Sequence, residues 1–396
     1  EHAAAAARQR AASAPLGAGR RAPSVYTPSD GPVCATQRAN SAAPPCTLGS
    51  PLTVARYAPD ATRLAVGSAA GDVTLLRLPT RRHTAPPPAL TAHSAAITSI
   101  DWAHSRGLLL TASADGSAVL WDVGAGRPPV SPLLVMRHLQ HSPQPMHSGD
   151  GSSADNPLLA GPVRRASFFY LDKLLLLASA NALHLYSYAL HRAADDAHRA
   201  AELRHSYRLH HRWVAPSPAH LVTGYAAHNS FLSPVALVAA SDRSVTAVDL
   251  GAGRPLCTWR DVHERAVHCV ALYEGSAHTA APEAARDLFL TAATDGCVHM
   301  WDLRTAARAR SFAAHLNRAQ PVGCAFSPCL RYVACGSEDK QAYVYDVRTG
   351  RLAATLGGHL EAATDVAFSP LHPQLATVSL DGRARFFADA ASACGS

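Results

Sequence analysis

The chain has 396 residues with 48% hydrophobic and 16% charged side chains, so it is long enough to bury a sizeable core. Its formal charge of +7 comes almost entirely from arginine, because Lys173 and Lys340 are the only lysines, and this bias indicates a GC-rich coding sequence more simply than selection for nucleic acid. The nine cysteines are odd in number and form no Cys-x-x-Cys pair, which predicts a reduced, intracellular protein, and no run of about 18 apolar residues is present to span a membrane.

The N-terminal residues 1–51 are rich in Ala, Pro, Ser and Arg and lack a hydrophobic period, which predicts an extension or linker. The tripeptide Gly-Ala-Gly followed by Arg starts at Gly17, Gly124 and Gly251, and the last two copies follow the third strand of a predicted repeat. By analogy, residues 20–26 are predicted to add a fourth strand to the last repeat and so to close a ring. Residues 35–46 are the alternative for this role.

One predicted β-hairpin motif is repeated several times along the chain. Residues 111–122, TASADGSAVLWD, return as TAATDGCVHMWD at 291–302, with weaker copies at 334–346 and 376–389. An apolar strand, a turn carrying Asp-Gly and a second strand that ends on an aromatic residue and Asp are typical of such a hairpin. The positions equivalent to Trp121 are Leu76, Trp121, Tyr186, Val248, Trp301, Tyr345 and Phe387.

These equivalent positions are 42 to 65 residues apart by subtraction. Half of the intervals match the roughly 40 to 45 residues of a four-stranded propeller blade, and the others exceed it by insertions. The sequence therefore predicts an all-β protein, a seven-bladed β-propeller over residues 52–389, followed by a short tail at 390–396. The N-terminal extension and long loop insertions complete the predicted organisation.

The repeats resemble the WD-repeat β-propeller family, in which a His precedes the innermost strand, Ser-x-Asp follows on the second strand, and Trp-Asp ends the third. The resemblance implies a buried structural network in each well-kept repeat. Its expected members are His93, Ser113, Asp115 and Trp121 in blade two, His263, Asp295 and Trp301 in blade five, His315, Ser337 and Asp339 in blade six, and His359, Ser379 and Asp381 in blade seven. Blades one, three and four depart from the pattern, since Ala70 and Asn181 replace Asp and Val248 replaces the aromatic residue. Within the family, residues 168–188 and 326–386 resemble the C-terminal propeller of a longer protein.

Three insertions interrupt the repeats. Residues 131–162 are rich in Ser, His, Pro and Gly and predict a flexible loop into blade three. Residues 190–213 are rich in Arg and His and could begin with a short helix, and residues 274–286 separate the first two strands of blade five. Insertions of a repeat protein map to loops, where partners bind.

Two groups of residues have the side chains of a catalytic or metal site. His93, Ser113 and Asp115 are the residue types of a hydrolase triad, but Ser113 lies within a predicted strand and has no G-x-S-x-G elbow, so a structural role is predicted. The histidines of the second insertion lack cysteines and a fixed spacing, and nearby arginines would repel a cation. No catalytic residue, cofactor, metal or small-molecule substrate is therefore predicted.

A Trp-Asp-x-Arg motif stands in blade five, with Asp302 and Arg304, and is echoed by Asp346 and Arg348 in blade six. It is similar to the box by which many WD-repeat proteins dock to the damage-binding adaptor of cullin ubiquitin ligases. The alternative is a local ion pair at a strand end, worth about 0 to 1 kcal/mol.

The function predicted first is a non-catalytic scaffold, a subunit of a larger intracellular assembly in the cytoplasm or in a ciliary axoneme, whose partners are other proteins. The alternatives are a substrate receptor of a cullin-RING ubiquitin ligase and an RNA-associated WD-repeat protein. Nucleic acid is not the expected partner, because the Arg-rich insertion offers few aromatic residues for stacking.

Overall fold

The computed structural model describes residues 46–78, 89–104, 107–124, 132–137, 161–190, 207–216, 220–231, 233–275 and 283–388. Their strands form seven four-stranded antiparallel sheets, and each sheet is one blade of a ring. The predicted seven-bladed β-propeller is confirmed. Among the described residues, no helix is long and apolar enough to cross a membrane.

Six blades are continuous in the chain, and each runs from an inner first strand to an outer fourth strand. Blades one to three contain β2 (Leu52–Tyr57), β3 (Arg63–Ser68), β4 (Asp72–Arg77), β5 (Ala89–Thr91), β6 (Ile97–Trp102), β7 (Leu108–Ser113), β8 (Ala118–Asp122), β9 (Pro132–Met136), β10 (Val163–Phe169), β11 (Leu174–Ser179), β12 (Ala182–Tyr188) and β13 (Tyr207–Val214). Blades four to six contain β14 (Val222–Ala227), β15 (Val235–Ala240), β16 (Val245–Asp249), β17 (Arg254–Trp259), β18 (Val267–Leu272), β19 (Leu288–Ala293), β20 (Val298–Asp302), β21 (Ala307–Phe312), β22 (Cys324–Phe326), β23 (Tyr332–Gly336), β24 (Ala342–Asp346) and β25 (Leu352–Leu356). A short 3₁₀ helix, Glu283–Asp287, precedes β19.

Blade seven is assembled from both ends of the chain. It contains β26 (Ala363–Phe368), β27 (Gln374–Ser379), β28 (Arg383–Ala388) and β1 (Cys46–Thr47). Cys46 pairs with Ala384 and Thr47 with Arg383, and the amide of Leu48 donates to the Gly382 carbonyl at 2.8 Å. The fourth strand of blade seven is therefore Cys46–Thr47, at the end of the alternative segment 35–46. Residues 20–26 and the tail 390–396 lie outside the described residues.

The register of the sheets explains the repeat period. Each of the seven positions equivalent to Trp121 pairs with the second residue of the preceding strand; for example, Trp121 pairs with Leu109 and Val248 with Ala236. The sheet therefore keeps its register even where Val248 replaces the aromatic side chain.

Two outer strands lie in segments that were predicted to be insertions between the repeats. Residues 132–136 form β9 and residues 207–214 form β13, although both lay in segments expected to be loops or helix. The physical reason is exposure: an outer strand pairs along one edge only, and β13 alternates between half-buried and exposed positions with basic side chains. Such a strand lacks the apolar run that marks the inner three.

Apolar side chains fill the spaces between neighbouring blades. Between blades two and three, Leu110 and Leu120 pack against Phe168 and Leu175, and all four are fully buried. The core is thus a series of layers around the ring, each shared by two sheets.

In four of the blades, a bulge near the start of the inner strand ties that blade to the next. The register shifts between Leu52 and Val54, and the extra residue, Thr53, donates its hydroxyl to the Ile97 carbonyl of blade two at 2.7 Å. A bulge re-aims one side chain out of the strand's alternation. Thr98, Thr223 and Thr364 make the same contact across three other boundaries, at 2.6, 2.5 and 2.9 Å.

Candidate functional site

The hydrogen-bond network of blade two runs from an indole to a carboxylate. Trp121 Nε1 donates to Thr111 Oγ1 at 3.0 Å, and Thr111 Oγ1 lies 2.8 Å from His93 Nε2. Ser117 donates to Asp115 Oδ1 at 2.5 Å, because a carboxylate only accepts, so the Ser117 oxygen accepts from His93 Nδ1 at 2.7 Å. A serine relays the contact between the predicted histidine and aspartate, whose nearest atoms lie 3.6 Å apart.

Blade five has the direct form of this network. Trp301 Nε1 donates to Thr291 Oγ1 at 3.0 Å, Thr291 lies 2.8 Å from His263 Nε2, and His263 Nδ1 lies 2.9 Å from Asp295 Oδ2. Cys297 occupies the position of the relay serine, so the histidine contacts the carboxylate itself. Burial lowers the pKa of His263 below its ordinary value, so the ring is neutral at pH 7 and keeps one donor and one acceptor.

Blade seven keeps the network without its indole. His359 Nε2 lies 2.7 Å from Thr377 Oγ1 and its Nδ1 lies 3.4 Å from Asp381 Oδ2. Phe387 stands at the aromatic position and has no polar atom, so the threonine loses one partner. The hydroxyl is left with a single side-chain contact.

Blade six is rearranged, and here the expectation that His315 and Asp339 share a network is wrong. His315 Nδ1 lies 3.1 Å from the Tyr345 hydroxyl, whereas Asp339 Oδ2 accepts from Tyr343 at 2.5 Å. The reason is chemical: Cys335 replaces the threonine, and a thiol is a weak partner, so the tyrosine that replaces Trp supplies the hydroxyl.

The predicted serines contact the main chain rather than the histidines. Each is fully buried and donates to a carbonyl in the loop before its own blade. The pairs are Ser113 with Ala95 at 2.9 Å, Ser337 with Leu316 at 3.1 Å, and Ser379 with Glu361 at 3.0 Å. The hydroxyl next to His93 belongs to Thr111, which is fully buried, so this geometry offers a substrate no exposed nucleophile.

Sequence reasoning missed the threonines and the relay serine. Thr111, Thr291 and Thr377 each stand four residues before the turn aspartate and ten before the aromatic position, and this spacing is visible in the sequence. Their recurrence was the signal that could have found them.

The Asp-x-Arg pairs differ between the two blades. Arg304 is 58% exposed; its Nη2 lies 3.3 Å from Asp302 Oδ2 and its Nε lies 3.6 Å from Asp287 Oδ2. Asp346 instead accepts from the Thr349 amide at 2.8 Å, while Arg348 is exposed. Blade five has a local ion pair within its motif, and the blade six aspartate caps a turn.

Charged side chains on the inner strands bind to the ring itself. Arg56 Nη1 lies 2.9 Å from Asp365 Oδ2, and Asp101 Oδ2 accepts from the Phe168 amide at 2.7 Å. Burial, together with the nearby Glu274, raises the pKa of Asp101 to about 7. Among the described residues, no three His, Cys, Asp or Glu side chains are grouped so that they could hold a metal ion.

Two large, exposed apolar side chains lie at turns between first and second strands. Phe231, in the turn of blade four, is 63% exposed, and Leu171, in the turn of blade three, is 51% exposed. The rings of Phe231 and Tyr170 are 5.3 Å apart between centroids. We call Tyr170, Leu171 and Phe231 the apolar protrusion; it lies on the face of the ring that also carries the turns with Arg304 and Arg348.

The turn under the protrusion is strained and clamped. Tyr170, Leu171 and Asp172 have φ values of 53°, 55° and 61°, which cost roughly 1–2 kcal/mol per residue in side-chain-bearing positions. The Asp172 carboxylate accepts from the His104 amide at 3.1 Å and from Asn229 Nδ2 at 2.6 Å, and the Asp172 amide donates to Asn229 Oδ1 at 3.0 Å. One buried side chain thus joins turns of blades two, three and four.

Comparison with protein families gives three matches in this chain. Residues 85–122, 307–346 and 350–387 each match the model of the WD domain, G-beta repeat. Each matched stretch begins near or at the outer strand of one sheet and ends in the third strand of the next, as in a ring whose repeats interlock. This chain is a β-propeller that contains WD repeats. The narrower resemblance, to WD repeat-containing protein 27, is not confirmed and stays a prediction.

Several curated proteins are similar to parts of this WD-repeat propeller. Periodic tryptophan protein 2 homolog of Dictyostelium discoideum is 35% identical over 101 residues, which are 25% of this chain and 11% of that protein. WD repeat-containing protein 25 of Mus musculus is 33% identical over 84 residues, 21% of this chain and 16% of that protein. The U5 small nuclear ribonucleoprotein 40 kDa protein of D. discoideum is 39% identical over 51 residues, 13% of this chain and 14% of that protein. The matches thus span less than a fifth of these relatives.

Proposed function

We propose that this WD-repeat propeller is a non-catalytic protein-interaction scaffold, a subunit of a larger intracellular assembly whose partners are other proteins. The observation that carries the proposal is the apolar protrusion at blades three and four. Exposed apolar groups gathered on a surface mark binding sites, whereas isolated ones do not.

The energy stored at the protrusion supports a binding role. Three successive left-handed residues destabilise the turn, and Leu171 and Phe231 remain in water when folded. Strained backbone that is held by surrounding contacts is concentrated at functional sites. The Asp172 clamp fixes the position of the apolar groups before any partner arrives, which reduces the entropy lost on binding.

The charges around the protrusion define the partner's chemistry. Lys173 Nζ lies 5.9 Å from the Tyr170 ring centroid and is exposed, and Arg286 is exposed where its carbonyl meets His228 Nε2 at 3.0 Å. Asp172 is only 4% exposed, and its carboxylate accepts hydrogen bonds from His104 and Asn229 instead of facing a partner. The surface therefore suits a protein segment with an aliphatic or aromatic anchor flanked by Asp or Glu.

The test is affinity purification of the native assembly with a double variant, Leu171→Ser with Phe231→Ser. Stoichiometric partners should fall by at least tenfold in the variant, because apolar anchors dominate such interfaces. The matched control is Leu256→Ser with Leu352→Ser, which are 52% and 45% exposed on outer strands and should leave recovery unchanged.

Melting temperatures of all variants identify any that fail to fold. Equal recovery from both folded variants would contradict the role of the protrusion. If the wild-type chain purified without any stoichiometric protein, the scaffold function itself would be refuted.

Association with RNA is a second candidate, favoured by the basic outer strand of blade five. Arg308 and Arg310 are exposed on β21, and Arg310 Nη2 donates to the Arg348 carbonyl at 3.0 Å. One similar protein is named as part of a small nuclear ribonucleoprotein. Fluorescence anisotropy with single-stranded oligouridine should show salt-sensitive binding that Arg308→Ala with Arg310→Ala weakens; binding unaffected by the substitutions would exclude this surface.

Two finer predictions keep their own tests. The cullin-RING ligase alternative requires binding of the damage-binding adaptor that Arg304→Ala with Arg348→Ala abolishes. The ciliary axoneme requires that the tagged protein localise there, and a cytoplasmic signal alone would remove it while leaving the scaffold proposal intact.

A further inference from the structure

Two thiols meet at the boundary between blades five and six. Cys269, on β18, and Cys324, on β22, have their sulfur atoms 3.7 Å apart, and Cys324 donates to Cys269. The residue after the bulge contacts the next blade in two other blades: the Ser99 hydroxyl contacts the Ala166 carbonyl at 3.0 Å, and Asp365 Oδ2 accepts from the Ala55 amide at 3.0 Å. Cys269 occupies this position in blade five, so the fold itself aims its thiol at the neighbouring inner strand.

The same boundary is held in register by an unusual bulge residue. His268 stands where four other boundaries have threonine, and its Nε2 lies 2.9 Å from the carbonyl oxygen and 3.1 Å from the nitrogen of Val322. Because Val322 is two residues before Cys324, this imidazole fixes the two inner strands against each other next to the thiols. The sulfur contact is therefore a defined feature of the packing.

The surroundings separate the two thiols chemically. Arg165 Nη1 donates to the carbonyl of Val270, the residue after Cys269, at 2.8 Å. The hydrogen bond from Cys324 and the positive charge of Arg165 lower the pKa of Cys269, whereas the same bond and burial raise the pKa of Cys324. Cys269 is half-buried, while Cys324 is only 4% exposed. Cys269 is therefore the more reactive thiol, and Cys324 is close enough to react with it after it is oxidised.

A competing partner lies within blade six. Cys335 pairs with Cys324 in the register of β22 and β23, and it is fully buried, with a pKa that burial raises far above its usual range. A thiol attacks a peroxide as the thiolate, so the fully buried Cys335 is not the sulfur that the peroxide oxidises first. The reactive pairing is the one that crosses the blade boundary.

We propose that Cys269 and Cys324 form a site of oxidative modification, at which a hydroperoxide converts the thiol pair into a disulfide that joins blades five and six. The Cys269 thiolate attacks the peroxide O–O bond, forms a sulfenic acid and releases water or an alcohol. The Cys324 sulfur then attacks the Cys269 sulfur while the Cys324 proton passes to the departing hydroxyl, so the S–S bond forms as the S–O bond breaks and water leaves. Two thiols lose two electrons to one peroxide.

The geometry requires only a small adjustment. A disulfide has an S–S length of about 2.04 Å, so the sulfurs must approach by about 1.7 Å from their separation of 3.7 Å. Changes of side-chain torsion on two adjoining strands can supply this movement. The product would link residues on neighbouring blades and so resist their separation during unfolding.

The test is disulfide mapping of the purified full chain after titration with hydrogen peroxide. Free thiols are blocked, the protein is digested without reductant, and cross-linked peptides are identified by mass spectrometry. Because Cys324 and Cys329 share the tryptic peptide 319–331, the experiment uses a Cys329→Ser background. The expected product is a Cys269–Cys324 cross-link that appears before other cysteines are oxidised and raises the melting temperature.

Substitutions provide the controls. Cys269→Ser and Cys324→Ser should each abolish the cross-link. Cys297→Ser should leave the cross-link unchanged, because Cys297 lies in the turn between β19 and β20 of the same blade. The proposal is overturned if Cys324 pairs with Cys335 instead, if Cys269 accumulates only as sulfinic acid, or if both thiols remain free when other cysteines have reacted. Since the decisive mapping retains both cysteines, a variant that fails to fold leaves the conclusion testable.

Discussion

Replacing Thr291 by valine should destabilise the propeller, because its hydroxyl joins two side chains of a histidine network. Thr291 accepts from Trp301 Nε1 at 3.0 Å and lies 2.8 Å from His263 Nε2. Valine keeps the shape but removes the oxygen, so two buried polar groups lose their partner. Each such group costs about 1–3 kcal/mol, which gives a loss of roughly 2–5 kcal/mol in the free energy of unfolding.

Blade seven provides the internal comparison. Thr377 contacts only His359 among side chains, because Phe387 has no donor, so Thr377→Val should lose about half as much. Thr291→Ser keeps the hydroxyl and should remain within about 1 kcal/mol of the wild type. Urea unfolding followed by fluorescence measures the differences, with the slope checked for each variant. Equal stability of Thr291→Val and the wild type, or equal losses at both threonines, would refute the network as an energetic unit.

Three further predictions concern stability. Ser113→Ala should lower the free energy of unfolding by about 1–3 kcal/mol, with no loss of a hydrolytic activity, as denaturant titration and esterase assays would show. Deletion of residues 1–49 should lower the melting temperature sharply, whereas deletion of 1–44 should not, because only the longer deletion removes β1 from β28. Burial lowers the pKa of His184, His299 and His315 from 6.5 to about 4, so the unfolded chain binds protons first and stability should fall from pH 6.5 to pH 4. A flat melting temperature across that range would contradict it.

The inner three strands of each blade were predictable because their side chains are buried in a periodic way. The outer strands were not, since their contacts are one ladder of backbone hydrogen bonds that leave the side chains in solvent. In β21, Arg308 and Arg310 are exposed while Phe312 is buried, so a single residue marks the strand. The two-residue strand β1 carries even less signal, because its register depends on β28, more than 330 residues away in sequence.

The histidines, the aspartates of blades two, five and seven, and the tryptophans of the networks were predictable, but their connections were not. Thr111 and Ser113 are two residues apart on one strand and so share a face, yet one meets the histidine and the other meets the loop. Only the depth of each side chain along the strand decides this difference. The apolar protrusion was also not predictable, since Tyr170 and Leu171 are not residues that favour a left-handed turn.

Blades three and four, which carry the protrusion, are two of the blades that lack the His–Thr–Trp chain. Leu177 and Val238 occupy the threonine positions of blades three and four, so no His–Thr–Trp chain can form there. The clamp of Asp172 and Asn229 joins these two blades at the opposite face and takes over part of the connection. In blades three and four, loss of the repeat pattern therefore coincides with a specialised surface, as expected if partner binding relaxed the sequence requirements of the repeat at this part of the ring.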